Sequence, residues 1–235
     1  MIKEISQRFI TPLVDLFYPH LCAGCGNSIL EDHHEICFRC LNNLSKTGYA
    51  PIADNPIEKK FWGRITLHAA TAEFYFTKES PVQKMIYELK YKNNKAIGVY
   101  LGKIMGRSLL SANRFAKIDC IVPVPLHKRK ERKRGYNQAL LIARGVSNIL
   151  KVPVLENNVI TVKDTETQTK KHRRERWENV VDKFAVKNPG LLCGRQVLLI
   201  DDVLTTGATL DACATTILKI QDIKLSIAVL AVAND

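Results

Sequence analysis

At 235 residues and 46% hydrophobic composition, the chain can bury one sizeable core with a small appendage, and two full domains would be a squeeze. Ile2, Lys3 and Glu4 are followed by Gln7 and Arg8 where an apolar leader would lie. The longest stretch free of Asp, Glu, Lys and Arg, Leu16 to Leu30, contains Pro19, His20, two cysteines and two glycines, and falls short of the roughly 18 apolar residues a spanning helix needs. A cytoplasmic protein without membrane insertion is expected. The net charge of +12 points to anionic ligands or nucleic acid, and it is concentrated: residues 127–134 carry +5 and residues 170–176 carry +4, leaving +3 for the rest.

In chain order, Ile2, Ile5, Phe9, Leu13, Leu16 and Phe17 recur at helical spacing and predict an amphipathic helix. Cys22, Cys25, Cys37 and Cys40 follow as two C-x2-C pairs separated by eleven residues, the sulfur set that a structural Zn²⁺ prefers. Gly24 and Gly26 permit the tight turn that aims N–H groups at the sulfurs. Disulfides are the alternative, disfavoured where thiols stay reduced. His20, His33 and His34 read as surface imidazoles, and Cys120, Cys193 and Cys213 as small core residues. Residues 51–64, rich in Pro, Asn and charge, read as a linker. Ile65 to Phe76 is strand-like, Pro81 opens a helix carrying Val82, Met85, Ile86 and Leu89, and a second helix covers Ile97 to Leu110.

From Ile118 a strand–helix rhythm sets in. Ile118 to Val122, Val154 to Val162, Val197 to Ile200 and Leu225 to Val232 are the strands, and Asn137 to Leu150 and Ala208 to Ile220 the helices. Such alternation predicts a parallel sheet with helices on both faces. The third of these strands runs into Asp201-Asp202 and then Thr205-Thr206-Gly207-Ala208-Thr209. Ligands of open α/β sheets bind beyond the carboxyl ends of the strands, and a Thr/Gly turn opening a helix aims N–H groups and hydroxyls at a phosphate. Carboxylates suit hydroxyls instead, so the pattern calls for a ligand such as a ribose 5-phosphate.

Val197 to Thr209 resembles the signature of type I phosphoribosyltransferases. That resemblance implies that Asp201 and Asp202 bind the ribose hydroxyls of phosphoribosyl pyrophosphate, and that Thr205, Thr206, Gly207, Ala208 and Thr209 bind its 5-phosphate. Pro123-Val124-Pro125-Leu126-His127 with Arg134-Gly135-Tyr136-Asn137-Gln138 is similar to the corresponding elements of the ComF family of competence-associated proteins, with Tyr136 where Phe is usual. Gln168-Thr169 with Arg173, Glu175, Arg176, Asn179 and Phe184 matches a third ComF element, whereas Lys170, Lys171 and His172 replace small or apolar residues. The implied fold is α/β: a type I phosphoribosyltransferase-like parallel sheet flanked by helices at 65–235, behind an N-terminal helix and four-cysteine zinc-binding module at 1–50.

The resemblance further implies a pyrophosphate loop over Val124 to Lys133, with Val124, Pro125, Leu126, His127, Arg129, Arg132 and the adjoining Arg134 near the pyrophosphate. It implies a mobile lid over Lys163 to Asp182 that delivers Gln168, Arg173 and Arg176, and Mg²⁺ bound with the phosphoribosyl pyrophosphate. Cations poised at the leaving oxygen would stabilise the charge that develops as the C1–O bond breaks. No general base is evident, and His127 reads first as a solvated residue. The family context implies a role in DNA uptake, with single-stranded DNA and a helicase-like ATPase as partners. The same basic runs fit a nucleic-acid footprint, on which Tyr136 and Trp177 could stack. A non-catalytic nucleotide sensor or DNA-binding adaptor, and a nucleobase salvage enzyme, therefore stand as alternatives.

Overall fold

A computed structural model describes residues 19–27, 29–30, 34–162 and 183–233. The expected N-terminal helix and the expected lid, with Gln168, Arg173, Arg176 and Trp177, lie outside the described residues. Ahead of the sheet, the short helix α1 (Phe38–Asn42) carries Cys40 into the core.

Four strands form a parallel sheet in the order β1 (Ala69–Phe76), β6 (Lys224–Ala233), β5 (Gln196–Leu204), β2 (Cys120–Pro123). These strands are apolar nearly throughout, as strands covered on both faces must be. Along β5 the side chains alternate between two core clusters. Leu198 and Ile200 belong to the cluster under α3 (Pro81–Tyr91), α4 (Lys95–Leu110) and α6 (Gln138–Leu150), and Val197 and Leu199 to the cluster under α7 (Ala208–Leu218). At the β1 edge, Lys46 makes an antiparallel bridge to Phe74, capping a row of groups that would otherwise be open. A separate antiparallel ribbon of β3 (Val159–Thr161) and β4 (Phe184–Val186) stands on either side of residues 163–182 in the chain.

The approach of α4 to α6 depends on glycine. A Cβ on Gly102 would lie 2.2 Å from the Ile142 carbonyl oxygen, and one on Gly145 would lie 2.2 Å from that of Val99. The helices therefore meet backbone to backbone. That contact fixes the start of α6, where Asn137 accepts from the Ala139 N–H and donates to the Val124 carbonyl oxygen at 2.9 Å, holding the loop that follows β2.

Several sequence-based expectations are corrected. The strand expected to end at Ile200 continues to Leu204 and carries both aspartates. Residues 51–64 are not a free linker. Asn55 caps the short helix α2 (Pro56–Lys59) and donates to the carbonyl oxygens of Ile52 and Ala70, and Ile57 and Phe61 are fully buried. Glu58 accepts from the Ala70 N–H and pairs with Arg114, so the segment is pinned to the first strand. Cys193 is exposed, unlike Cys120 and Cys213, and Tyr136 is buried, its hydroxyl donating to the Leu89 carbonyl oxygen, so it offers no ring to a base. No helix among the described residues is long and apolar enough to cross a membrane.

Candidate functional site

Strand alternation sends Asp201 toward the α7 side and Asp202 toward the α3 side, and both line one cavity of about 330 Å³ at the carboxyl end of the sheet. Asp201 Oδ1 accepts from the Asp202 N–H at 2.8 Å, and Asp202 Oδ1 from the Val203 N–H at 2.6 Å, so each carboxylate is held by the next residue's backbone. Lys90, in the last turn of α3, reaches Asp202 Oδ2 at 2.9 Å. Burial, and then the neighbouring Asp202 charge, push the Asp201 carboxyl up to about 7, against the opposing pull of the Asp202 N–H and of Lys90.

Beyond Leu204 the chain turns through Thr205 and Thr206, both exposed, into Gly207 at φ 81°, a left-handed conformation that glycine adopts without strain. Gly207 is the N-cap of α7 and supplies no side-chain acceptor, which leaves the first helical N–H groups of Ala208 and Thr209 to an outside anion. Thr209 lines the carboxylate cavity. Over this turn sits Arg64, paired with Asp211; its Nη2 lies 3.8 Å from where a Gly207 Cβ would project. Burial raises the Asp211 carboxyl, and Arg64 opposes that rise.

Opposite the carboxylates, the loop of Val124, Pro125 and Leu126 leads to His127, which caps α5 (Lys128–Arg134) by accepting from the Arg129 N–H through Nδ1. A neutral His127 capping in this way carries its proton on Nε2 and acts as a donor. The first basic run is thus a helix, not the expected loop, and helical spacing divides its charges. Lys130 and Arg134 join His127 at the carboxylate cavity, whereas Arg129 and Arg132 line a different recess with Lys128, Thr161 and Val162. The structure does not bring Arg129 and Arg132 to the aspartates. Arg134 Nη1, Gln138 Oε1 and Thr161 Oγ1 are buried without hydrogen-bond partners, and all three residues line the carboxylate cavity. Unpaired buried polar atoms are uncommon, and three around one cavity mark a place for a polar ligand.

The second cluster is metal-like. The sulfurs of Cys22, Cys25, Cys37 and Cys40 lie within 4.8 Å of one another, so the set could hold a metal ion. Cys22 Sγ accepts from the N–H groups of Gly24 at 3.4 Å and Cys37 at 3.2 Å, as a thiolate ligand would. Burial and the neighbouring thiols push the Cys40 thiol far above its usual range, the state expected of crowded sulfurs before a cation joins them.

Asp201, Asp202, Thr209, Val124, Pro125, Leu126, His127 and Arg134 line one cavity, Thr205 to Ala208 form the turn that leads to Thr209, and the four cysteines cluster apart. The pattern missed Lys90, Gln138, Thr161 and Arg64, and held Lys130 within the expected loop without a role. A signal existed for the helix that orients Lys130, because Gly135 ends a run whose last turn is all basic, a common helix stop. None existed for Lys90 or Arg64, which fold onto the site from distant segments.

Residues 136–235 match the family model described as "Phosphoribosyl transferase domain". Competence protein F of Haemophilus influenzae is 30% identical over 196 residues, spanning 81% of each chain. The DNA utilization protein YhgH of Escherichia coli K12 is 28% identical over 85% of this chain and 78% of its own length. Competence protein ComFC of Bacillus subtilis is 28% identical over 81% of each. Among solved structures, a hypothetical protein from Neisseria gonorrhoeae with bound ppGpp aligns at a TM-score of 0.39 and 19% identity, covering 59% of this chain and 69% of that one.

Proposed function

This chain belongs to the ComF family of the type I phosphoribosyltransferase superfamily, and from that membership we propose that it binds phosphoribosyl pyrophosphate with Mg²⁺ and acts, as a transferase or transferase-like protein, in the use or uptake of DNA. One observation carries the reading. The paired aspartates open into the same cavity as Lys130, Arg134 and His127, and that cavity holds buried polar atoms with nothing to bond. Asp201 and Asp202 would accept from the two ribose hydroxyls, while the Thr205–Thr209 turn and the start of α7 would hold the 5-phosphate. The Val124–His127 loop with Lys130 and Arg134 would face the pyrophosphate. Arg134 Nη1, already desolvated, would then gain its missing acceptor.

The donor set suits Mg²⁺, a hard cation that keeps carboxylate, phosphate and water oxygens; when bound it neutralises charge on the pyrophosphate. The chain's own work is positional. Lys90 holds Asp202 in one orientation, and the cations of α5 face the oxygen on which charge appears as the C1–O bond breaks. Segment 163–182 would serve as the lid, bringing Gln168, Arg173 and Arg176. The four cysteines would hold one structural Zn²⁺, as four sulfurs closing a tetrahedral shell prefer. The protein would act in the cytoplasm.

A DNA-binding adaptor remains as a second reading, because Arg129 and Arg132 are turned away from the cavity and exposed. Calorimetry with phosphoribosyl pyrophosphate, with and without Mg²⁺, tests the first reading. Mg²⁺-dependent binding that is lost in the Asp201→Asn/Asp202→Asn variant supports it, and no binding under either condition refutes it.

A further inference from the structure

Beside the carboxylate cavity lies a second recess of about 440 Å³, lined by Lys90, Tyr91, Asn93, Lys130, Lys133 and Arg134. Its lining holds four cations and no carboxylate. Lys90 spends its charge on Asp202 in the adjoining cavity, but Lys130, Lys133 and Arg134 have no carboxylate partner among the described residues. Helices in water ordinarily offset such charges with Glu at i+3 or i+4. Here the acid of α5, Glu131, lies three residues before Arg134 without an ion pair to it, and lines a recess with Pro125, Asn157 and Lys187.

The recess is also aromatic. Tyr91 is 66% exposed and Tyr87 52%, and their rings meet at 5.0 Å between centroids with a 43° tilt. The Arg134 guanidinium lies over the Tyr91 ring, 5.7 Å from its centroid, while its Nη1 is buried and unpaired. A core would bury such rings, and a merely solvated basic face would leave no guanidinium nitrogen both desolvated and unsatisfied. Uncompensated cations around a concavity select an anion, and exposed rings next to them select a flat partner.

We propose that this recess is a second ligand site, for a mononucleotide-class molecule whose planar ring packs on Tyr91 and Tyr87 and whose phosphate is held by Lys130, Lys133 and Arg134. It places such a molecule beside the phosphoribosyl donor, and rests on the reading above only for the identity of that first ligand. Lys133, Asn93 and Tyr87 do not line the carboxylate cavity, so the two sites can be altered separately.

The test is calorimetry of the full chain with thymidine 5′-monophosphate as probe, alone and at saturating phosphoribosyl pyrophosphate and Mg²⁺. The nucleotide should bind in both conditions, more weakly at saturating phosphoribosyl pyrophosphate because Lys130 and Arg134 line both recesses, and thymidine or inorganic phosphate should each bind at least about tenfold more weakly than the nucleotide. Tyr91→Leu and Lys133→Ala, both at exposed positions, should each weaken the nucleotide about tenfold, and Lys133→Ala, outside the carboxylate cavity, should leave the phosphoribosyl ligand within about twofold. Asp201→Asn/Asp202→Asn should do the reverse. If the phosphoribosyl ligand fails to bind while the nucleotide still binds and responds to Tyr91→Leu, the first reading falls and this one stands. Simple displacement of the nucleotide by phosphoribosyl pyrophosphate, indifference to Tyr91→Leu, or binding of an oligothymidylate but not of the monophosphate would each overturn the proposal.

Discussion

Asp201→Asn should make the protein more stable at alkaline pH while removing a ligand contact. In the fold, the Asp201 carboxyl is raised from 3.8 to about 7, first by burial and then by the Asp202 charge. The folded state therefore holds this proton more tightly than the unfolded chain. The associated stability is fully present below the unfolded value and is lost as pH rises through about 7. Three units at about 1.36 kcal/mol each set an upper limit of about 4 kcal/mol. Asp201 is only partly buried and part of the shift is repulsion that salt screens, so about 1–2 kcal/mol is the working figure. Asn keeps the acceptor for the Asp202 N–H and carries no charge. At about pH 8.5 the variant should melt roughly 3–6 °C above the parent, and the difference should shrink steadily below about pH 7 and vanish only toward about pH 3–4. Calorimetric melts across that range in low salt provide the measurement. A variant that melts at or below the parent at about pH 8.5, or a difference that ignores pH, would refute the claim that this carboxylate is held against its charge.

Further outcomes follow from other parts of the structure. Replacing both Asp201 and Asp202 by Asn should weaken phosphoribosyl pyrophosphate by tenfold or more in calorimetry, since each charge-assisted bond contributes roughly 1.5–3 kcal/mol, with circular dichroism unchanged. Elemental analysis of freshly purified protein should find one zinc per chain, whose removal by chelation lowers the melting temperature; cysteines 22, 25, 37 and 40 paired as disulfides would contradict the metal. Gly145→Ala puts a methyl carbon 2.2 Å from the Val99 carbonyl oxygen and should cost at least about 1–3 kcal/mol in denaturant melts. Replacing Arg173 and Arg176 by Ala should reduce turnover far more than ground-state binding if segment 163–182 closes over the site, whereas lost affinity for single-stranded DNA with normal handling of phosphoribosyl pyrophosphate would favour the adaptor.

What could be read from the sequence was what is written in consecutive residues. The aspartate pair, the Thr/Gly turn and the two C-x2-C pairs each compress their chemistry into a short local pattern. Alternation then gave the parallel sheet, because strands buried on both faces are uniformly apolar. Charge density concealed the helix over Lys128–Arg134, since a run with no apolar stripe shows no 3.6-residue period, and only His127 and Gly135 at its ends betray it. Residues 51–64 looked like a linker for a related reason: Pro56 was counted as a breaker, although Asn55 followed by Pro56 is also the start of a helix. Lys90 was invisible on any local rule, because its partner Asp202 is distant in sequence and adjacent only through the fold.

That distant contact also explains why a cysteine cluster far from the cavity belongs to the same design. A Cβ on Gly24 would lie 2.9 Å from Cys40 Sγ and 3.5 Å from Pro81 Cβ, so the cysteine knuckle abuts the first turn of α3. Cys22 and Cys40 share one core cluster with Val82, Met85, Ile86 and Leu89 of that helix. Eight to ten residues after Pro81, about 12–15 Å along the helix, the same element offers the Leu89 carbonyl to Tyr136, Lys90 to Asp202, and Tyr91 to Arg134. A helix of this length, packed on a close-fitting core, moves as a unit more readily than it bends. The metal-like cluster thus sets the position of one end of a strut whose other end orients an aspartate of the proposed ribose site and forms the wall between the two cavities.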